Sequence, residues 1–361
     1  MLGPRVARTL SAAWRDPDAW LSRLLLPLAA LFGLCASARR YAYRKGWFES
    51  VNLPVPVLVI GNITTGGSGK SPLVRLFAQR CQDRGLRVGI ICRGYGGQAQ
   101  QWPIIVTAAT PVTLVGDEAV MLARLTGLTV AAGPDRIAAG QALLKHCLVD
   151  VLISDDGLQH YRLKRDAEVA VVAAKFGFGN ARLLPAGPLR EPERRLRDVD
   201  AVMFKDPEDG RAGFVLQATM LRRLSQAPND GHAERIDASR NEVADASAVA
   251  LAHWCRWDVA AITAIGHPRS FFDSLRTAGF KLESRAFPDH HHFVRKDLDF
   301  APGKPLLVTE KDAVKIDPNW HADVWVVETL SVPNAAGEAA LERVVDLLHG
   351  ASARAQDSAL G

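Results

Sequence analysis

Hydrophobic and polar positions follow two rhythms along this chain. Val55–Gly61, Leu86–Cys92, Thr129–Ala132, Val149–Ser154, Glu168–Ala174 and Val199–Phe204 are short, nearly unbroken apolar runs, the pattern of strands buried on both faces. Between them, Ser71–Arg84 sets Leu73, Leu76, Phe77 and Cys81 at helical spacing, and Ala119–Leu125 and Arg136–His146 read as further helices. Such alternation predicts an α/β fold, a parallel sheet covered by helices on both faces. From Asp206 to about Ser247 apolar runs become scarce, and QAPNDGHAERIDASRNEVADAS reads as an extended connection or surface insertion. A second α/β pattern follows, with strands at Val259–Ile265, Phe280–Phe287, Pro305–Thr309 and Val324–Glu328 and helices over Ser270–Ala278 and near Glu338–His349.

The front of the chain breaks this pattern. Trp20 to Ala38 reads WLSRLLLPLAALFGLCASA, with Arg23 its only charge. A spanning helix needs about 20 mostly apolar residues, so the stretch is borderline, and Pro27 is expected to kink it. Basic residues Arg39, Arg40, Arg44 and Lys45 follow directly, and Arg5, Arg8, Arg15 and Arg23 precede. That arrangement favours an uncleaved, membrane-associated helix, but the charges balance and do not orient it. A helix lying in the interface, basic groups toward anionic headgroups, satisfies the same pattern.

Composition narrows the classes. The 361 residues are 48% hydrophobic and 23% charged, ordinary for globular protein. Forty-four basic against 39 acidic residues give a net charge of +5, too mild to argue for nucleic acid without a nucleic-acid-reading motif. Cys35, Cys81, Cys92, Cys147 and Cys255 are scattered, with no C-x-x-C pair, which suits a reducing compartment better than a disulfide framework or zinc site.

The sharpest local signal is VLVIGNITTGGSGKSPLVRLF, an apolar strand running through a Gly-rich turn into a helix. This is the setting of a P-loop. Backbone N–H groups of Thr64, Thr65, Gly66, Gly67, Ser68 and Gly69 are expected to cradle phosphate oxygens, with Lys70 reaching the β- and γ-phosphates of ATP and the Ser71 hydroxyl on Mg²⁺. One departure stands out: the G-x-x-x-x-G-K-[ST] pattern wants glycine where Thr64 stands, and the Gly66-Gly67 pair is expected to supply the flexibility. The strand Val149–Ser154 runs into Asp155-Asp156, adjacent carboxylates placed to reach Mg²⁺ directly or through water. Asp-Asp-Gly is also good turn chemistry.

The motifs also form an ordered set: GNITTGGSGKSP at 61–72, RGYGG at 93–97, GDEAVMLA at 116–123, SDDGLQHYRLKRD at 154–166, LLPAGPLRE at 183–191, AIGHPRSFF at 264–272, FPDHHHF at 287–293 and TEKDAVK at 309–315. Behind an N-terminal apolar helix, this set closely resembles the tetraacyldisaccharide 4'-kinases of Gram-negative lipid A synthesis, over roughly residues 10 to 348. The resemblance implies an ATP-dependent kinase at the cytoplasmic face of the inner membrane. Its partners would be membrane lipids and an acylated glucosamine disaccharide 1-phosphate, phosphorylated on its 4'-hydroxyl. No obligate protein partner is implied. Asp117 and His290 match the family's catalytic Asp–His pair, a base that meets the incoming hydroxyl and a group that orients it. Asp117 is expected after a strand-like PVTLV, and GDE before an apolar run is also a good helix start. Glu191 and Gln159 match groups near Mg²⁺ or nucleotide; His160, Arg93 and Lys311 are candidate phosphate contacts. Arg190, Arg194, Arg195 and Arg197 are candidates for a basic rim facing the substrate's phosphate, or simply a solvated face.

The expected organisation is therefore an anchor helix with basic flank over 1–50, a P-loop nucleotide-binding domain over 51–205, a polar connection over 206–257, a smaller α/β lobe over 258–350 and a disordered tail over 351–361. The rival class is a membrane-associated P-loop GTPase. It needs an [NT]-K-x-D loop to read guanine, and TEKD at 309–312 offers only T-x-K-D.

Overall fold

The computed structural model describes residues 10, 12–16, 18–66, 69–207, 209–224, 248–250, 257–321 and 323–360. Most of the expected polar connection lies outside them, as do Gly67, Ser68 and Cys255. The chain forms two compact units. The first comprises Met1–Cys92, Asp135–Val215 and Pro333–Gly361; the second comprises Arg93–Pro134 and Leu216–Val332. The division differs from the one the order of the motifs suggests, because residues 93–134 group with the later α/β segment.

In the first unit, five strands lie in the order Val88–Cys92, Val151–Asp155, Val57–Gly61, Ala167–Ala173 and Ala201–Lys205. Every neighbouring pair is parallel. The three central strands and Val88–Cys92 are almost wholly buried, as their unbroken apolar runs require. Helix Lys70–Asp83 turns Leu73, Val74, Phe77, Ala78 and Cys81 inward, an i, i+3/i+4 stripe. Helix Arg136–His146 begins at Asp135, whose carboxylate accepts from the N–H groups of Ile137 and Ala138, satisfying donors a helix start leaves open.

The last helix, Ala335–Leu360, packs on helix Lys70–Asp83 and strand Ala201–Lys205. Arg80 pairs with Glu338, and Arg84 with Glu342 and Asp346. The helix runs through residues expected to be a disordered tail. ASARAQ is rich in good helix formers, Ser352 is buried, and Gln356 donates to Asp150 at 3.2 Å.

At the front, helices Trp20–Leu24 and Leu26–Arg44 bury Ser22, Ala29, Gly33 and Ala42. The run is interrupted at Leu25, and Pro27 sits in the first turn of the second helix, where its missing N–H costs nothing. Small residues form the inward face, and Gly33 lies against Leu183. The outward face leaves Trp20, Leu24, Leu28, Leu31 and Leu34 more than half exposed. Among the described residues, no helix is long and apolar enough to cross a membrane.

In the second unit the order is Lys281–Ala286, Asp258–Thr263, Leu306–Thr309, Val324–Pro333 and then the part of strand Gly213–Arg223 from Leu216 on. Alternate residues build opposite cores. Ala260, Ile262, Leu306, Val308, Val324 and Val326 face one, and Val259, Ala261, Leu307, Trp325 and Val327 face the other, the two-residue period of a sheet covered on both sides. Ile104–Val106 and Val130–Ala132 form an antiparallel pair. PVTLV is not a strand: Val112–Val115 is a short helix capped by Pro111 and closed by Gly116. Proline's fixed φ suits a helix start.

Candidate active site

The first unit gathers most of the groups expected to bind phosphate in one place. Strand Val57–Gly61 leads into fully buried Asn62, whose Nδ2 donates to Thr64 Oγ1 and to the Gly66 carbonyl, each at 3.4 Å. Thr64 forms an antiparallel bridge with Leu189, and the Thr65 N–H donates to the Pro188 carbonyl at 2.8 Å. The threonine at the expected glycine position is thus extended and braced by the LLPAGPLRE segment, a conformation any residue adopts. Gly69 is different: it caps helix Lys70–Asp83 with φ at +82°, and a Cβ there would stand 2.8 Å from the Lys205 Cδ.

Lys70 opens that helix, its Nζ 3.5 Å from Asp156 Oδ1. Ser71 Oγ donates to Asp155 Oδ2 at 3.4 Å, and Asp155 is buried at the end of its strand. Lys70, Ser71, Asp155 and Asp156 therefore converge as the sequence suggests. The two carboxylates differ in environment. Asp156 is held at φ +51° and also meets Arg190 at 3.4 Å. Burial pushes its carboxyl up, but the charges of Lys70, Arg190 and Arg136 outweigh that and hold it below the usual range. Mutual repulsion of the pair is thereby relieved in part by cations of the chain itself.

A magnesium ion suits this spot on chemical grounds. Ser71 and Asp155 offer a hydroxyl and a carboxylate, the oxygen donors a hard cation takes. Among the described residues, no three His, Cys, Asp or Glu side chains form a metal cluster, and Mg²⁺ held by one or two carboxylates draws its other ligands from phosphates and water. Glu191 is already engaged: Tyr161 donates to its Oε1, and Gln159 donates to Oε2 at 3.1 Å. Each of its oxygens accepts one of these bonds and keeps a further lone pair.

The basic rim is corrected in part. Arg195 is almost fully buried and forks onto both oxygens of Glu168, at 2.7 and 2.6 Å, while Arg190 turns to Asp156. Only Arg194 and Arg197 face solvent. At His160, burial and the charge of Arg136 push the imidazole down to about 4.

The second unit holds the acid–histidine pair. Gly116, at φ +86°, packs so tightly that a Cβ would collide with the Tyr95 carbonyl. It turns the chain so that Asp117 becomes the first residue of helix Asp117–Thr126. Asp117 is 4% exposed; its Oδ1 accepts from the Glu118 N–H at 2.9 Å, and its Oδ2 lies 3.0 Å from His290 Nδ1. His290 occupies the left-handed region at φ +59°, its N–H donating to the Ala264 carbonyl at 3.2 Å. The Tyr95 ring lies 5.4 Å from the imidazole.

Burial pushes the Asp117 carboxyl up, but the His290 hydrogen bond and the charges of Lys311, His290 and Lys315 together hold it below its ordinary value. The hydrogen bond to Asp117 raises His290, against burial and the charge of Lys311. Both directions describe an ion pair. His291 goes elsewhere, bonding Asp297 at 2.9 Å and stacking on Phe287, so the three histidines do not converge.

Asn62, Tyr161 and Arg136 escaped the sequence reading. Asn62 carries the only such signal, a polar side chain just beyond an apolar strand and ahead of the glycines.

Known proteins resemble this chain over most of its length. The sequence profile of the tetraacyldisaccharide-1-P 4'-kinase family matches residues 21–346. A tetraacyldisaccharide 4'-kinase from Alkalilimnicola ehrlichii is 42% identical over 354 residues, covering 96% of this chain and 99% of the relative. One from an Azoarcus species is 45% identical over 341 residues, covering 92% and 96%. The crystal structure of LpxK from Aquifex aeolicus in complex with ATP superposes with a TM-score of 0.71 at 27% identity, covering 91% of this chain and 98% of that one. The chain belongs to the tetraacyldisaccharide 4'-kinase family.

Proposed function

We infer that this protein transfers the γ-phosphoryl group of ATP to the 4'-hydroxyl of a tetraacyldisaccharide 1-phosphate, giving the bisphosphorylated lipid A precursor. The observation that carries the reading is the convergence of Lys70, Ser71 and Asp155 at the head of one helix, in a chain matched by the kinase family over 21–346. In phosphoryl transfer the protein mainly positions groups and neutralises charge. Lys70 and the N–H groups around Gly69 serve the phosphates, and Lys70 leaves Asp156 for them when nucleotide binds. Ser71 and Asp155 would hold Mg²⁺, which shields phosphate charge when bound. Asp117 accepts the proton of the 4'-hydroxyl as its oxygen attacks the γ-phosphorus and the bond to the ADP oxygen breaks. His290 holds the Asp117 oxygen in place and balances its charge.

The substrate also places a demand on location. Drawing acyl chains out of a bilayer costs about 0.8 kcal/mol per CH₂, so the enzyme is expected to work at the membrane. The outward face of Trp20–Leu34 and the basic Arg39, Arg44 and Lys45 support an interfacial helix at the cytoplasmic face of the inner membrane. Replacing Leu28 and Leu31 with glutamine should release the protein from anionic vesicles in sedimentation; unchanged binding would remove the helix from that role.

The activity itself is tested by mass. Protein, ATP, Mg²⁺ and acylated disaccharide 1-phosphate should yield a lipid heavier by one phosphoryl group. ATP consumption without that product would sink the kinase reading.

A further inference from the structure

The TEKDAVK segment has so far entered only through the charges of Lys311 and Lys315 on Asp117, yet Lys311 meets several carboxylates at once. Lys311 sits at the start of helix Glu310–Ala313. Its ammonium is 3.9 Å from Asp117 Oδ2, 3.4 Å from Glu118 Oε1 and 3.8 Å from Asp289 Oδ1, with the side chain only 18% exposed. Three carboxylates from two further segments thus share one mostly buried cation.

The helix turn that carries Lys311 is itself pinned. Asp312 is fully buried and accepts from Thr263 Oγ1 at 2.6 Å, from Thr309 Oγ1 at 2.7 Å and from the Ala264 N–H at 3.2 Å. Lys315 pairs with Asp312 at 2.8 Å. Ala264 in turn accepts the His290 N–H, so Asp312 ties the turn bearing Lys311 to the strand end that holds His290.

We propose that Lys311 is a positioning residue: its ammonium keeps Asp117 ionised and fixes the oxygen that His290 bonds, with Glu118 and Asp289 holding the ammonium in place. The role expected from the sequence, a phosphate contact, suits it poorly, since three carboxylates already occupy its surroundings. The proposal rests on the reading of Asp117 as the base. The charged groups facing the pair are Glu118 from its own helix, Asp289 beside His290, and Lys311 and Lys315 from the TEKDAVK segment; Lys315 is committed to Asp312. Removing Lys311 takes away a positive charge, which raises both Asp117 and His290. Removing Glu118 takes away a negative one, which lowers both.

The test uses the full-length protein with isotope-labelled histidine, His290 being assigned by loss of its signal in His290→Ala. In Lys311→Met the His290 ring should titrate about one pH unit higher, with kcat about tenfold lower and the KM for ATP within about twofold. In Glu118→Gln the ring should titrate lower, and Lys311→Arg should restore the titration and most of kcat. An unmoved His290 titration in Lys311→Met overturns the proposal, as does a loss confined to ATP affinity. Where Lys311→Met does not fold, the Glu118→Gln titration decides, and an unmoved or raised midpoint there overturns it too. Failure of the underlying reading looks different: Asp117→Asn would then keep its activity, whatever Lys311 does.

Discussion

In the first unit Lys70 and Ser71 are neighbours at the head of one helix capped by Gly69, where they meet Asp156 and Asp155. In the second, Asp117 and His290 lie 173 positions apart in sequence and meet only because Gly116, Ala264 and Asp312 hold their segments. On the proposed reading the first site draws largely on backbone N–H groups and a helix dipole, which any suitable turn provides. The second is built from side chains whose ionisation depends on burial and neighbouring charge. One should therefore tolerate change in its surroundings and the other should not.

The largest effect should come from Lys70→Ala. Loss of a cation serving the transferred phosphate is expected to lower kcat/KM by about 10⁴-fold, read by radiolabel transfer to the lipid. Asp117→Asn removes the base while keeping its shape, and should lower kcat by about 10³-fold in the same assay. His290→Ala leaves the base without its orienting group and should cost about tenfold to a hundredfold. A His290→Ala enzyme as weak as Asp117→Asn would mean that the two act as one unit.

The smallest effect is on stability. His290 is raised by Asp117, so its contribution is complete below the ordinary histidine value of 6.5 and disappears as pH rises through the raised value. Asp117 is lowered, so its contribution holds above the ordinary value of 3.8 and disappears as pH falls through the lowered one. The pair therefore stabilises the second unit most between those ordinary values. Wild type should melt about 2 °C above His290→Ala at pH about 5.5, with the gap closing by pH about 9. A gap that widens with pH would contradict the ion pair.

The same contrast decides what the sequence made legible. Helix Arg136–His146 matches its expected span residue for residue, because Asp135 caps it and its pattern is local. The P-loop was equally readable from spacing. The Asp–His pair was not; only resemblance to a family joined Asp117 to His290, since nothing local connects them. Gly213–Arg223 was missed because its burial is mixed along its length, leaving neither an apolar run nor clean alternation. PVTLV was misread because a short apolar segment carries no period, and Pro111 alone favoured the helix. Arg195 looked like part of a solvated basic cluster, yet its partner Glu168 lies on a strand well back in the chain.

The most direct measurement is ATP binding by calorimetry, in Mg²⁺, to Lys70→Ala and Asp117→Asn side by side, with lipid phosphorylation followed on the same samples. Lys70→Ala should lose ATP affinity. Asp117→Asn should bind ATP as wild type does and make almost no phosphorylated lipid. Loss of ATP binding in Asp117→Asn, or full phosphorylation by it, would contradict the division of labour between phosphate loop and acid–histidine pair.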